Sequence, residues 1–193
     1  MTASYAQERP APATGAYDID PRTSRLRFRT RAVFGLMPVR GTFTLTRGRI
    51  VVAEPVARSS VEVVVGAASF DSGLRRRDEH VRSDDYLGAV AHPEIIFRSE
   101  EVRDSRGEEV RDSRGDEGRD VAQVAALAGE LTVRGVTRPV AVAVETVELD
   151  GPGLVVTGSA AVDRYAFGIT TAKGMTGRWV RIDLEVRARR RPV

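Results

Sequence analysis

Residues 24–35 read SRLRFRTRAVFG. Arg25, Arg27, Arg29 and Arg31 alternate with Leu26, Phe28, Thr30 and Ala32, so an extended chain puts all four guanidinium groups on one face and the less polar set on the other. A helix, with its 3.6-residue turn, could not segregate them so. The same period of two continues along the chain. Val39, Gly41, Phe43 and Leu45 alternate with Arg40, Thr42, Thr44 and Thr46, and the following Arg47-Gly48 predicts a tight turn. Val61, Val63 and Val65 share a face, as do Ile95 and Phe97. Val180, Ile182, Leu184 and Val186 against Arg181, Asp183, Glu185 and Arg187 make the cleanest amphipathic strand. The segments RPVAVAVETVEL and GLVVTGSAAV are rich in β-branched residues and are separated by the turn signal Asp150-Gly151-Pro152-Gly153. Many strands joined by short turns predict an antiparallel sandwich or closed barrel.

Two stretches resist the strand pattern. EEVRDSRG occupies residues 100–107 and recurs unchanged at 108–115, followed by DEGRD. Such a charged duplication cannot bury enough apolar surface to order itself, so residues 103–120 are expected to form a mobile loop insertion in a hairpin. The other stretch, GLRRRDEHVRSDDYL at 73–87, has Leu74 and Val81 two helical turns apart, Asp71 or Ser72 positioned to cap, and Gly88 to stop. It predicts a short helix.

Composition narrows the function. The chain has 193 residues, no cysteine and a net charge of +3. It is sized for one domain and excludes disulfides, thiolate metal sites and thiol nucleophiles. Arg187, Arg189, Arg190 and Arg191 leave the rest at about −1, so the body is not a basic protein. Lys173 is the only lysine, which attributes the arginine richness to composition rather than to phosphate contacts. The opening MTASYAQERPAPATGAY lacks the apolar run of a secretory signal and no segment is long enough to span a bilayer, so a cytoplasmic protein without stable membrane insertion is expected. Residues 1–15 read as a disordered tail, 16–187 as the single domain and 188–193 as a basic tail.

In residues 73–87 Arg75, Arg76, Arg77 and Arg82 are cancelled by Asp78, Glu79, Asp84 and Asp85, so the surplus of cations that nucleic-acid binding requires is absent. His80 could pair with Asp78 or Asp84 as base and orienter, yet no nucleophile elbow, zinc-ligand pair or phosphate-binding glycine loop accompanies it. A structural role for His80 is expected, with no catalytic residue, metal or cofactor.

The residues also carry a resemblance. YDIDPRTSRLRF (17–28), GTF (41–43), RRDEHVRSDDYL with HPEIIFRS (76–87, 92–99), GELTVRGVTRPV (129–140) and DRYAFGI (163–169) are similar, in order, to the successive blocks of the YceI-like family. Two departures stand out: Thr23 occupies a position that is usually histidine, and the duplicated octapeptide enlarges a usually short loop. The resemblance implies an all-β, lipocalin-like extended antiparallel barrel of about eight strands whose lumen holds a long isoprenoid chain, polyprenyl or quinone-type, with no enzymatic activity. Under it Phe28, Phe34, Met37, Phe43, Phe97, Phe167, Met175 and Trp179 become candidates for the lumen lining, with Leu74, Val81 and Tyr86 from the helical segment. Arg77, Asp78, His80 and Arg82 become a polar mouth or a clasp tying the helix to the barrel. The rivals are an enzyme acting on such a lipid, which needs paired ionisable groups pointing inward where alternation sends nearly all charges outward, and an interaction module using the arginine face. A homodimer is compatible with the sequence.

Overall fold

The computed structural model describes residues 12–32, 35–104 and 124–192. Ten strands, β1 (Gly15–Ile19), β2 (Arg25–Ala32), β3 (Met37–Phe43), β4 (Leu45–Val52), β5 (Ser60–Gly66), β6 (Glu94–Asp104), β7 (Ala125–Val133), β8 (Val136–Asp150), β9 (Gly153–Asp163) and β10 (Trp179–Arg190), accompany one helix, α1 (Arg75–Arg82). The ladders run β4-β5-β6-β7-β8-β9-β10, and β1 closes the ring by pairing with both β10 and β4. β10 pairs with β1 through residues 188–190 and with β2 through 181–185, while β3 runs into β4 across Thr44. β1 with β2, and β3 with β4, are thus two interrupted staves, and the ten strands form a closed eight-stave antiparallel barrel, as expected.

Alternation decides which way each side chain points. On β2 all four arginines are exposed while Phe28 is buried and Leu26, Thr30 and Ala32 are half-buried. Asp183 of β10 holds Arg29 at 3.3 Å on the outer surface, one of the cross-strand pairs that lace the outer face. The ladder between β8 and β9 begins only at Ala143 and Ser159. Pro139, which cannot donate to a ladder, falls in the part of β8 that lacks a β9 partner.

Three sequence expectations are corrected. Arg47-Gly48 is no turn: both residues lie inside β4, where the register against β5 shifts between Leu45 and Arg47. Gly48 serves a close approach instead, since a Cβ there would stand 2.6 Å from Cδ1 of Ile19. The helix is capped neither by Asp71 nor by Ser72: its N-cap is Leu74, without a side-chain cap, and it ends at Ser83, before Gly88. Residues 188–190 are no tail, because they complete β10 against β1, Ala188 is 2% exposed, and Arg191 pairs with Asp18 at 2.9 Å. At the other terminus β1 already begins at Gly15, and Tyr17 donates to the Ala13 carbonyl at 2.7 Å. Most of the expected tail (1–11) and of the octapeptide loop lies outside the described residues.

The two ends of the barrel differ. One is filled by Tyr17, Ile19, Leu45, Val52, Val65, Leu154, Val186 and Ala188, a contiguous core that closes the floor. At the other, Phe28, Val39, Phe70, Leu87, Val133, Phe167 and Ile169 pack around the wall beneath the helical segment and leave a hollow.

Candidate functional site

Inward-facing side chains from nine strands enclose a cavity of about 800 Å³. Its walls follow the period of two: Leu26 and Phe28 from β2, Val63 and Val65 from β5, Ile95 and Phe97 from β6, Leu131 and Val133 from β7, Val140 and Val142 from β8, Ala160 and Val162 from β9, and Val180, Ile182, Leu184 and Val186 from β10. Phe28, Phe43 and Phe70 form an aromatic cluster, with ring centroids 4.7 Å apart for Phe28 and Phe70 and 5.6 Å for Phe28 and Phe43. Gly41 makes room for it: a Cβ at that position would overlap the Asp71 carbonyl oxygen and stand 2.5 Å from the Phe28 ring.

Of the predicted lining, Phe28, Phe43, Leu74, Val81, Tyr86, Phe97 and Phe167 face this cavity. Met37 and Met175 do not line it and are exposed: Met37 is the first residue of β3, at the strand's outer end, and Met175 sits on the loop before β10, where alternation no longer has an inside. Trp179 is also outside the lining: it alternates with the inward Val180, and the Arg178 guanidinium lies 5.6 Å from its ring. Phe34 lies outside the described residues. The branched aliphatic residues of β7 to β10 were missed as candidates, although their alternation carried the signal.

The helical segment is held by the clasp. Arg77 donates to the Ser72 hydroxyl at 2.6 Å and the Ser72 carbonyl at 2.9 Å, while buried Asp78 accepts from the Ser72 amide at 3.0 Å and from its hydroxyl. Arg82 donates to the Phe70 carbonyl at 2.6 Å. Arg77 and His80 additionally line the cavity, and His80 meets Asp85 at 3.7 Å and Tyr86 edge-on. The candidate base and orienter pairing of His80 with Asp78 or Asp84 does not form: Asp78 is committed to Ser72.

A second buried charge, besides Asp78, escapes the outward rule. Arg164 is 5% exposed, lines the cavity and donates to four backbone carbonyls: Gly177 at 2.9 Å, Ile169 and Thr171 at 2.8 Å each, and Thr176 at 3.1 Å. It sits on a 3-10 turn (Arg164–Phe167), where strand alternation does not apply. No carboxylate among the described residues pairs with it; the charge is satisfied by carbonyl dipoles and by the Tyr165 ring at 4.8 Å. Arg164 therefore staples the loop of residues 169–177 across the cavity's rim. Beside it Asp163 caps the turn by accepting from the Tyr165 amide at 3.0 Å, and Arg178 donates to it at 2.6 and 2.9 Å. The Arg178 hydrogen bonds, with the backbone amides behind them, hold the Asp163 carboxyl below its ordinary range.

Comparison with known proteins decides the family. The sequence profile of the YceI-like domain matches residues 17–188. The chain belongs to the YceI-like family. A UPF0312 protein of Vibrio parahaemolyticus is 34% identical over 92 residues, 48% of this chain and 41% of that protein. One from Shewanella denitrificans is 31% identical over 141 residues, 69% of this chain and 65% of that protein. The matched stretches thus span less than two thirds of these relatives. Among solved structures, Burkholderia cenocepacia BcnA superposes with a TM-score of 0.69 at 20% identity, covering 88% of this chain and 98% of that one. A polyisoprenoid binding domain from Saccharophagus degradans gives 0.63 at 13% identity, covering 93% and 100%. At such identities these likenesses establish the YceI-like barrel and nothing finer.

Proposed function

We propose that this YceI-like protein binds one long-chain isoprenoid lipid, polyprenyl or quinone-type, in its lumen and acts as a carrier or sink rather than as an enzyme. The observation that carries the reading is the hollow of about 800 Å³ walled by alternating aliphatic and aromatic side chains, a size within the roughly 300–1,000 Å³ of single-ligand sites. Each buried methylene of a tail contributes about 0.8 kcal/mol, so several isoprene units outweigh the entropy of ordering the chain without any polar contact. The closed floor sets a limit on tail length. The name of the Saccharophagus neighbour agrees with a polyisoprenoid ligand, though that name describes the neighbour. Binding is favoured over catalysis because the charged residues lining the cavity are arginines and His80, and no carboxylate stands among them to share acid and base roles.

The test is organic extraction of protein purified from its native host followed by mass spectrometry, with uptake of a fluorescent polyprenyl probe in parallel. Recovery of a stoichiometric isoprenoid supports the reading. An empty extract together with failure to take up the probe sinks it.

A further inference from the structure

A lumen that exchanges a lipid must meet the phase that stores lipids, and the rim of this one is built unlike the rest of the surface. Residues that both line the cavity and lie exposed mark its opening: Leu74, Arg75, Arg76 and His80. The lining also includes Ala32, Ala172 and Thr176, and the Thr171 hydroxyl donates to the Asp85 carbonyl at 2.7 Å. The tip of the β2–β3 hairpin and the loop of residues 172–177 are joined there, since Ala32 pairs with Met37 and bridges Thr176, and the Gly177 amide donates to the Arg31 carbonyl at 2.6 Å. Three segments therefore frame one opening.

Those segments carry four of the seven large hydrophobic side chains exposed among the described residues: Leu36 at 83%, Leu74 at 58%, Met37 at 54% and Met175 at 53%. A lone exposed leucine is ordinary, but four apolar tips on the segments that reach the mouth of an apolar cavity are a patch with a purpose. Cations are interleaved with them. Arg75 is held by Glu79 and Arg178 by Asp163, and His80 faces Asp85. Arg76 and Lys173 are exposed and have no carboxylate partner among the described residues.

We propose that this rim docks on the surface of an anionic lipid bilayer, Leu36, Met37, Leu74 and Met175 entering the headgroup region while Arg76 and Lys173 meet lipid phosphates, so that a tail passes from bilayer to lumen without crossing water. The contact is peripheral: no described helix is long and apolar enough to cross a membrane, and an interfacial contact of this kind combines apolar insertion with charge. The inference rests on the lipid-binding reading for its purpose, although docking itself needs no ligand.

The test is co-sedimentation of the full chain with vesicles of phosphatidylcholine alone or with 30% phosphatidylglycerol. Binding to the anionic vesicles is expected to exceed that to neutral ones by roughly thirtyfold, given roughly 1 kcal/mol for each of two cations, and to weaken with salt. Leu36→Ser with Leu74→Ser, and separately Arg76→Ser with Lys173→Ser, are expected to reduce it at least fivefold at unchanged melting temperature, all four positions being exposed. No binding to anionic vesicles, binding that both double variants retain, or self-association through the same residues in place of vesicle binding would overturn the proposal. Uptake of the probe from detergent without vesicle binding refutes docking and leaves the lumen reading intact; vesicle binding without uptake does the reverse.

Discussion

Replacing Arg164 by methionine keeps most of the side-chain volume and removes the staple of the 169–177 loop. Four charge-assisted hydrogen bonds are lost. At about 1.5–3 kcal/mol each they would sum to far more than the net effect, because the variant also relieves the desolvation of a buried guanidinium, several kcal/mol. The four carbonyls of a half-buried loop can in addition turn to water. The expected net loss is about 3–5 kcal/mol, because several carbonyls, each costing about 1–3 kcal/mol when left buried and unsatisfied, lose their donor together. For a domain of this size that is a fall in Tm of roughly 6–20 °C. Urea unfolding followed by tryptophan fluorescence measures the free energy, and calorimetry the Tm; Trp179, the single tryptophan, borders the loop and reports on it. Arg164→Lys should recover only part of the loss, since one ammonium cannot reach four divergent carbonyls. A methionine variant within about 1 kcal/mol of the parent would refute the staple and reassign Arg164 to ligand contact.

Three further outcomes are expected. Because Arg178 and the turn amides depress the Asp163 carboxyl, the folded-state pKa lies below the unfolded one; the stability from this group is complete above the unfolded value, near 4, and is lost as pH falls through the folded value. Asp163→Asn should flatten that part of the acid limb in pH-dependent melting, and an unchanged limb would disprove the assignment. Gly41→Ala should destabilise by about 1–3 kcal/mol in urea unfolding, since its Cβ overlaps the Asp71 carbonyl and crowds Phe28. Val142→Trp combined with Ala160→Trp adds bulk inside the lumen without touching the rim, so probe uptake should fall at least tenfold while vesicle binding persists.

Most of the barrel is legible in the period of two. The parity of Arg25 to Ala32 and of Val180 to Arg187 assigns inner and outer faces correctly, because a strand residue has only two directions to point. The same rule fails where strands stop. Met37, at the outer end of β3, and Met175, on the loop before β10, escape the lining, and Trp179 has outward parity. Arg47-Gly48 has the composition of a turn, and only the neighbouring β1, crossing at Ile19, explains a glycine within a strand. Arg164 stands inside the recognised DRYAFGI block, yet nothing local reveals that its partners are four carbonyls up to thirteen residues away.

The sequence by itself determined an all-β fold, the sidedness of its strands and, through ordered motif blocks, its family. Local alternation and turn chemistry suffice for that, since they act between neighbours in the chain. Tertiary structure alone decided that the staves close into a ring with one filled end and one hollow end, and that exposed apolar tips from three distant segments meet at the hollow's mouth. Closure, void and rim depend on which residues face one another across the barrel, a relation that long-range packing creates and local sequence does not encode.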